Sequence, residues 1–142
     1  MKVREIMTNH VSAANANSTI DEIARKMKEL NVGSIPICDS QNHVVGIVTD
    51  RDIVVRGIVD GFQASDQVDK VMSKELIAIS PDSHVHEAAR IMAQNQIRRL
   101  PVIENGKLVG VVSIGDLAVR NIYVDDAGKA LSDISLPSRP MM

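Results

Sequence analysis

Aromatic side chains are nearly missing from this 142-residue sequence: Phe62 and Tyr123 are the whole supply, and there is no tryptophan. Without rings interleaved with basic residues there is no platform for stacked bases, which argues against a nucleic-acid binder. A dominant charge sign is missing too. Sixteen Lys and Arg against eighteen Asp and Glu leave a formal net charge of −2, with no broad attraction for nucleic acid or an anionic membrane. Cysteine is reduced to Cys38, so no intramolecular disulfide forms, and a reducing, cytoplasmic compartment is expected. Apolar runs such as Leu108–Val112 fall far short of the roughly 20 residues that cross a bilayer. Met1–Met7 has no long apolar stretch after its charges and does not read as a secretory leader.

What is present is an ordinary folded composition, 44% hydrophobic and 24% charged, and it is internally repeated. Val3-Arg4-Glu5-Ile6-Met7 matches Val68-Asp69-Lys70-Val71-Met72 at an offset of 65 residues, and Ser18, Met27 and Pro36 fall on Ser83, Met92 and Pro101. One deleted loop residue later the offset is 64: Gly46, Asp52 and Arg56 fall on Gly110, Asp116 and Arg120. We divide the chain into a first repeat over 1–59, a polar linker over 60–67, a second repeat over 68–122 and a partly disordered extension over 123–142. A single unit of this length buries little surface, so the two are expected to pack on each other with approximate two-fold symmetry.

Each unit reads β-α-β-β-α, an α/β (α+β) pattern. A short strand is expected near Val11–Ala14, and again near Leu76–Ser80. Helices are expected to start at Ser18, with Asp21 closing a capping box, and at Ser83. The spacing of Ile20, Ile23, Ala24, Met27 and Leu30, and of Val85, Ala88, Ala89 and Met92, predicts their buried faces. Hairpin strands follow at Ser34–Cys38 with Val44–Val48, and at Leu100–Ile103 with Leu108–Val112. Asn105-Gly106 is a strong turn signal. Short helices close the units over Asp50–Arg56 and Ile114–Arg120, and a further helical piece is expected around Ala127–Ile134. Ser135–Met142, with Pro137 and Pro140, is expected to fray.

The chemistry concentrates where Gly46-x-x-Thr49-x-x-Asp52 and Gly110-x-x-Ser113-x-x-Asp116 carry a strand into a helix start. One reading is purely structural: hydroxyl at the N-cap and acid at the third helical position satisfy helix-start amides. The other is ligand binding. A helix N-terminus suits a phosphate, a hydroxyl adds a donor, and a carboxylate accepts from both hydroxyls of a ribose diol. The preceding glycine lets another backbone approach closely.

On the β-α-β-β-α repeat, the two Gly-x-x-Thr/Ser-x-x-Asp motifs, and Ile35-Pro36 and Leu100-Pro101 at the middle strands, residues 1 to about 122 resemble a CBS domain pair, or Bateman module, of stand-alone type. The resemblance implies adenosine-containing ligands (AMP, ADP, ATP or an S-adenosyl compound) held in clefts between the repeats. It assigns Asp52 and Asp116 to ribose, and Thr49 and Ser113 to phosphate or ribose. The adenine would lie in an apolar slot near Ile35, Pro36, Leu100, Pro101, Ala13 and Ile79. Arg51 has a guanidinium fork for phosphate where the second motif has Gly115. Arg98, Arg99, Arg56 and Arg120 extend the basic set around the two helix starts.

No nucleophile–base pair, phosphate-cradling loop or metal cluster is legible, so neither catalysis nor a required cofactor is expected. His84-x-His86, His10 and His43 do not form a compact ligand group, Cys38 reads as a small apolar residue, and Met7, Met27, Met72 and Met92 sit at equivalent packing positions. The expectation is a regulatory module that binds an adenosine-type molecule, forms a homodimer through its helices and signals to an unknown effector protein, with no nucleic-acid or membrane partner. The alternative is a structural homodimer with empty clefts, in which both motifs are only caps.

Overall fold

The computed structural model describes residues 1–9, 11–119 and 124–136; His10, Arg120, Tyr123, Pro137 and Pro140 lie outside them. The fold mixes helices with two antiparallel two-stranded sheets. Spatially, the chain groups into two compact units: Ser12–Ile77 with Asn105–Leu108, and Met1–Val11 with Ala78–Glu104 and Val109–Met142. We refer to them as the first and second unit.

In the first unit α1 (Ile20–Leu30) leads into β1 (Ser34–Cys38) and β2 (Val44–Thr49), paired antiparallel with Ile35 opposite Val48. Ile20, Ile23 and Met27 of α1 are buried with Ile35, Ile37, Val48, Val68, Val71 and Met72. Ala24 and Leu30, expected on the buried face, are exposed. The N-cap of the helix also falls one residue later than Ser18. Thr19 is the N-cap, accepting from the Glu22 N–H at 3.2 Å, because Ser18 is engaged in a turn with Asn15. The strand expected at Val11–Ala14 shrinks to one parallel bridge from Ala14 to Ile37; an Asn15–Asn17 side-chain turn ends it. β2 runs directly into α2 (Asp50–Asp52), which continues as a π-helical stretch over Ile53–Ile58.

The second unit repeats the plan. α3 (Val85–Asn95) has His84, not Ser83, at its N-cap, and it buries Val85, Ala88, Ala89 and Met92 as the spacing predicts. β3 (Arg99–Glu104) and β4 (Lys107–Ser113) meet through Asn105 and Gly106, both at positive φ (54° and 79°), as the Asn-Gly pair requires. The strand expected near Leu76–Ser80 is again a single bridge, Ile79 to Val102. α4 (Ile114–Ala118) closes the hairpin, and α5 (Val124–Ile134) packs on α3 and α4, burying Ala127 and Ala130 in the same core as Leu100, Val102, Val112 and Leu117.

Neither unit is built from one continuous repeat. In the first, Asp66 O and Ala64 O, from the polar linker, accept the Ile20 and Asp21 N–H groups at 2.9 Å, and the Val68 N–H binds Ser18 O at 2.8 Å. In the second, Met1 O accepts the Val85 N–H at 3.1 Å, and the Val3 N–H binds Ser83 O at 2.9 Å. Met1–Val3 and Asp66–Val68 are equivalent positions of the repeat, so each leading segment completes the first turn of the other repeat's helix. Arg4 bridges Asp82 (2.7 Å) and Glu104 (3.1 Å) on the surface of the second unit.

Candidate functional site

Both motifs fold into the same local device. In the first unit Thr49 Oγ1 accepts the Asp52 N–H at 3.0 Å, while Asp52 Oδ2 accepts the Thr49 N–H at 2.9 Å. In the second, Ser113 Oγ accepts the Asp116 N–H at 3.2 Å and Asp116 Oδ2 accepts the Ser113 N–H at 2.7 Å. The Ser113 hydroxyl also donates to Asp116 Oδ2 at 3.0 Å. These are complete capping boxes, so the structural reading of the motif holds in both copies.

The boxes leave one carboxylate oxygen of each acid in reserve. Among the described residues the ion-pair partner of Asp52 Oδ1 is the Arg56 guanidinium, 4.0 Å away, and the Asp52 side chain keeps 16% exposure. Asp116 Oδ1 accepts no bond from the described residues. A carboxylate oxygen on a partly exposed side chain, fixed by its partner's cap, is a preorganised acceptor for a hydroxyl.

The glycines have a different task. A Cβ on Gly46 would sit 2.7 Å from Ser73 O, and one on Gly110 would sit 2.8 Å from Thr8 O. Ile47 pairs with Ser73, and Val111 with Thr8, as isolated antiparallel bridges within the respective units. Each glycine therefore admits a neighbouring backbone, and Met72 and Met7 pack beside it.

The helix N-termini are less open than the motif suggests. In the first unit the Asp50 N–H binds Gly33 O (2.9 Å), the Arg51 N–H binds Asp50 Oδ1 (2.8 Å) and the Asp52 N–H is capped, so all three first-turn donors are used. In the second the Ile114 N–H binds Arg98 O (2.9 Å), leaving the Gly115 N–H as the donor with no acceptor among the described residues. An anion would therefore meet the exposed Arg51 side chain in one unit and a backbone N–H in the other. Asp50, which takes part in this closure, carried no signal of its own beyond its place next to the motif.

Arg98 and Arg99 are both exposed, at the entry to β3; Arg56 reaches Val71 O at 3.5 Å, and Arg120 lies outside the described residues. The apolar candidates sit deeper than a ligand-lining slot. Ile35 (1% exposed), Leu100 (0%) and Ile79 (5%) belong to the cores, and Pro36 and Pro101 are buried with carbonyls that accept the Ala14 and Ile79 N–H groups. Ala13 is half-buried and its carbonyl accepts from Lys26 Nζ at 3.0 Å. One polar group outside the motifs stands out: among the described residues Asp69 Oδ1 is buried without a hydrogen-bond partner, beside an open cleft of the first unit that Asn17, Asp39 and Lys74 also line.

Cys38 is buried, and burial pushes its thiol above the ordinary range, which makes it a poor nucleophile. Among the described residues no three His, Cys, Asp or Glu side chains gather as a metal-ligand set, and no helix is long and apolar enough to cross a membrane. His84 and His86 stack with ring centres 4.6 Å apart, and His86 pairs with Asp126.

Comparison with known proteins agrees with this geometry. The CBS domain profile matches residues 3–57 and 68–121. The chain is 43% identical over 133 residues to the CBS domain-containing protein YhcV of Bacillus subtilis, covering 94% of each. It superposes on hypoxic response protein I, solved with two coordinated zinc ions, with a TM-score of 0.77 at 29% identity over 83% of this chain and 97% of that one. The CBS domain pair of MJ0100, solved with 5′-methylthioadenosine and S-adenosyl-L-methionine, gives 0.72 at 26% identity over 83% and 93%. The hexameric CBS-CP12 protein of bloom-forming cyanobacteria gives 0.72 at 30% identity over 88% and 74%. Two matched segments, two capped motifs and two equivalent hairpins place the chain in the CBS domain family, as a tandem pair.

Proposed function

We propose that this CBS pair is a regulatory sensor that binds an adenosine-containing ligand (AMP, ADP, ATP or an S-adenosyl compound) without chemistry and signals in trans to a partner protein. The observation that carries the reading is the duplicated cap, in which Asp52 and Asp116 each keep one carboxylate oxygen beyond the bonds of the box. Those oxygens accept from the ribose diol. The MJ0100 pair, solved with two adenosyl compounds, supports that ligand class. Arg51 meets phosphate in the first unit, and the Gly115 N–H takes the corresponding place in the second, where Arg98 and Arg99 are exposed at the entry to β3; the Arg120 assignment falls outside the described residues. The adenine slot would involve Ala13, Ile35 and Pro36 in the first unit and Ile79, Leu100 and Pro101 in the second, although most of these side chains lie in the cores. A ligand alters the output only if it prefers one arrangement of the protein over another.

Thermal unfolding with adenine nucleotides and S-adenosylmethionine tests the reading. A ligand at about 100 times its dissociation constant adds about 2.7 kcal/mol. No shift from any adenosine compound at millimolar concentration sinks it.

A second reading has its own support. The complete capping boxes, with every first-turn donor of the first unit already used, suit a structural homodimer in which the motifs only stabilise helix starts. Under that reading Asp52→Ala and Asp116→Ala lower stability and change no binding.

A further inference from the structure

The repeats diverge where their leading segments settle. In the second unit the Arg4 guanidinium meets both Asp82 (2.7 Å) and Glu104 (3.1 Å), and Lys2 Nζ stands 3.7 Å from Asp82. At the 65-residue offset Arg4 falls on Asp69, Lys2 on Gln67, Asp82 on Asn17 and Glu104 on Asp39. Both cations are therefore gone from the first unit, and a carboxylate stands in place of the guanidinium.

Asn17, Asp39 and Asp69 line an open cleft of about 970 Å³, large enough for a small organic molecule. The cleft lies at the hairpin-turn end of β1 and β2, next to Val45, whereas Thr49 and its capped acid stand at the opposite end of the hairpin. Asp69 Oδ1 is buried without a hydrogen-bond partner among the described residues, a costly state for a carboxylate oxygen. Asp39 is already fixed in place. Its Oδ1 accepts the Gln41 and His43 N–H groups, both at 2.9 Å, and the His43 ring is 3.5 Å from its Oδ2. Lys74 also lines the cleft, but it forms no ion pair with either acid among the described residues. Nor does a third His, Cys, Asp or Glu join the two acids as a metal-ligand set among those residues. The cation that the second unit holds against the equivalent positions is a planar guanidinium.

We infer that this cleft is a second ligand site, apart from the capped acids, and that it takes a guanidinium group in the place that Arg4 fills in the second unit. The group comes either from a small arginine-like molecule or from an arginine of a peptide. A guanidinium fork pairs with carboxylates through several N–H donors at once, and the Asn17 amide oxygen can accept one more. Met72 and Val45, also in the lining, suit the methylene stem of such a ligand. The inference goes beyond the adenosine reading and does not rest on it.

Titration of the full chain with L-arginine, agmatine and a capped tripeptide with a central arginine, followed by amide NMR shifts at low ionic strength, tests the assignment. Citrulline, similar in shape but uncharged, is the control. The expected result is saturable binding of a guanidinium compound, with shifts at Asn15, Asn17 and Ser40, and none with citrulline. Asp39→Asn and Asp69→Asn are each expected to weaken it about tenfold or more. Asp69→Arg copies the second unit's arrangement and is expected to abolish binding. Asp82→Asn, on the counterpart that Arg4 already fills, is expected to leave it unchanged. Tighter binding of the small molecules than of the peptide identifies a metabolite-type site, and the reverse order a peptide site. No saturable binding by any of the three, equal binding of citrulline, undiminished binding in the folded Asp39 and Asp69 variants, or equal weakening by Asp82→Asn would each overturn it. Adenosine-induced melting shifts measured on Asp69→Asn report separately on the ligand reading.

Discussion

Thr49 and Ser113 each close a reciprocal cap, so removing the hydroxyl has the same consequence in both units. Thr49→Ala and Ser113→Ala are each expected to cost about 1 kcal/mol, read from urea unfolding. Gly46 and Gly110 are stricter positions. Their would-be Cβ atoms fall within 2.8 Å of a backbone carbonyl, which cannot swing aside as a side chain can, so Gly46→Ala and Gly110→Ala each lose about 1–3 kcal/mol. An unchanged midpoint in either variant would contradict the close approach. Surface acids give a pH signature. The Arg4 guanidinium holds the Asp82 carboxyl below its ordinary value of 3.8, and the His43 backbone N–H does the same for Asp39. A folded pKa below the unfolded one stabilises the protein above the unfolded value. That contribution fades as pH falls through the folded value. Arg4→Met is therefore expected to flatten part of the acid limb below about pH 4 and to change little near neutrality, since the pair is exposed and screened.

At the scale of elements, the repeat made most of the fold legible. Two copies of Ile/Leu-Pro, of Gly-x-x-Thr/Ser-x-x-Asp and of the α1 and α3 apolar spacing identify the same helices and hairpins independently. Asn105-Gly106 marks its turn unaided. What escaped was decided away from the local sequence. Ser18 and Thr19 are both able caps, and so are Ser83 and His84. The choice falls to whichever residue lets Asp66 O or Met1 O reach the next N–H. The π-helical stretch has no signature in the Ile53–Ile58 sequence. Within the candidate site, the reciprocal hydroxyl–acid caps were legible. The core placement of Ile35, Leu100 and Ile79 was not, because a period-2 strand pattern does not show how far a strand end is covered.

For the molecule as a whole, the exchanged leading segments tie each repeat's helix to chain from the other repeat. Val3 and Val68 are fully buried at equivalent positions, in opposite units. Val3→Ala is expected to cost about 2 kcal/mol and to weaken amide protection in α3 rather than α1, with Val68→Ala doing the reverse. Loss of protection in the sequence-adjacent helix instead would contradict the exchange. The same pairing of equivalent parts underlies the functional reading, in which two capped acids each offer a spare oxygen to a ribose. Calorimetric titration of S-adenosylmethionine and adenine nucleotides into the wild type and into Asp52→Asn, Asp116→Asn and the double variant tests this most directly. Asparagine keeps an oxygen for the cap but loses the carboxylate. The account predicts saturable binding of at least one adenosine compound, weakened at one site by each single change and abolished in the double variant. Binding that survives intact in the folded double variant, or no binding by the wild type, would contradict it.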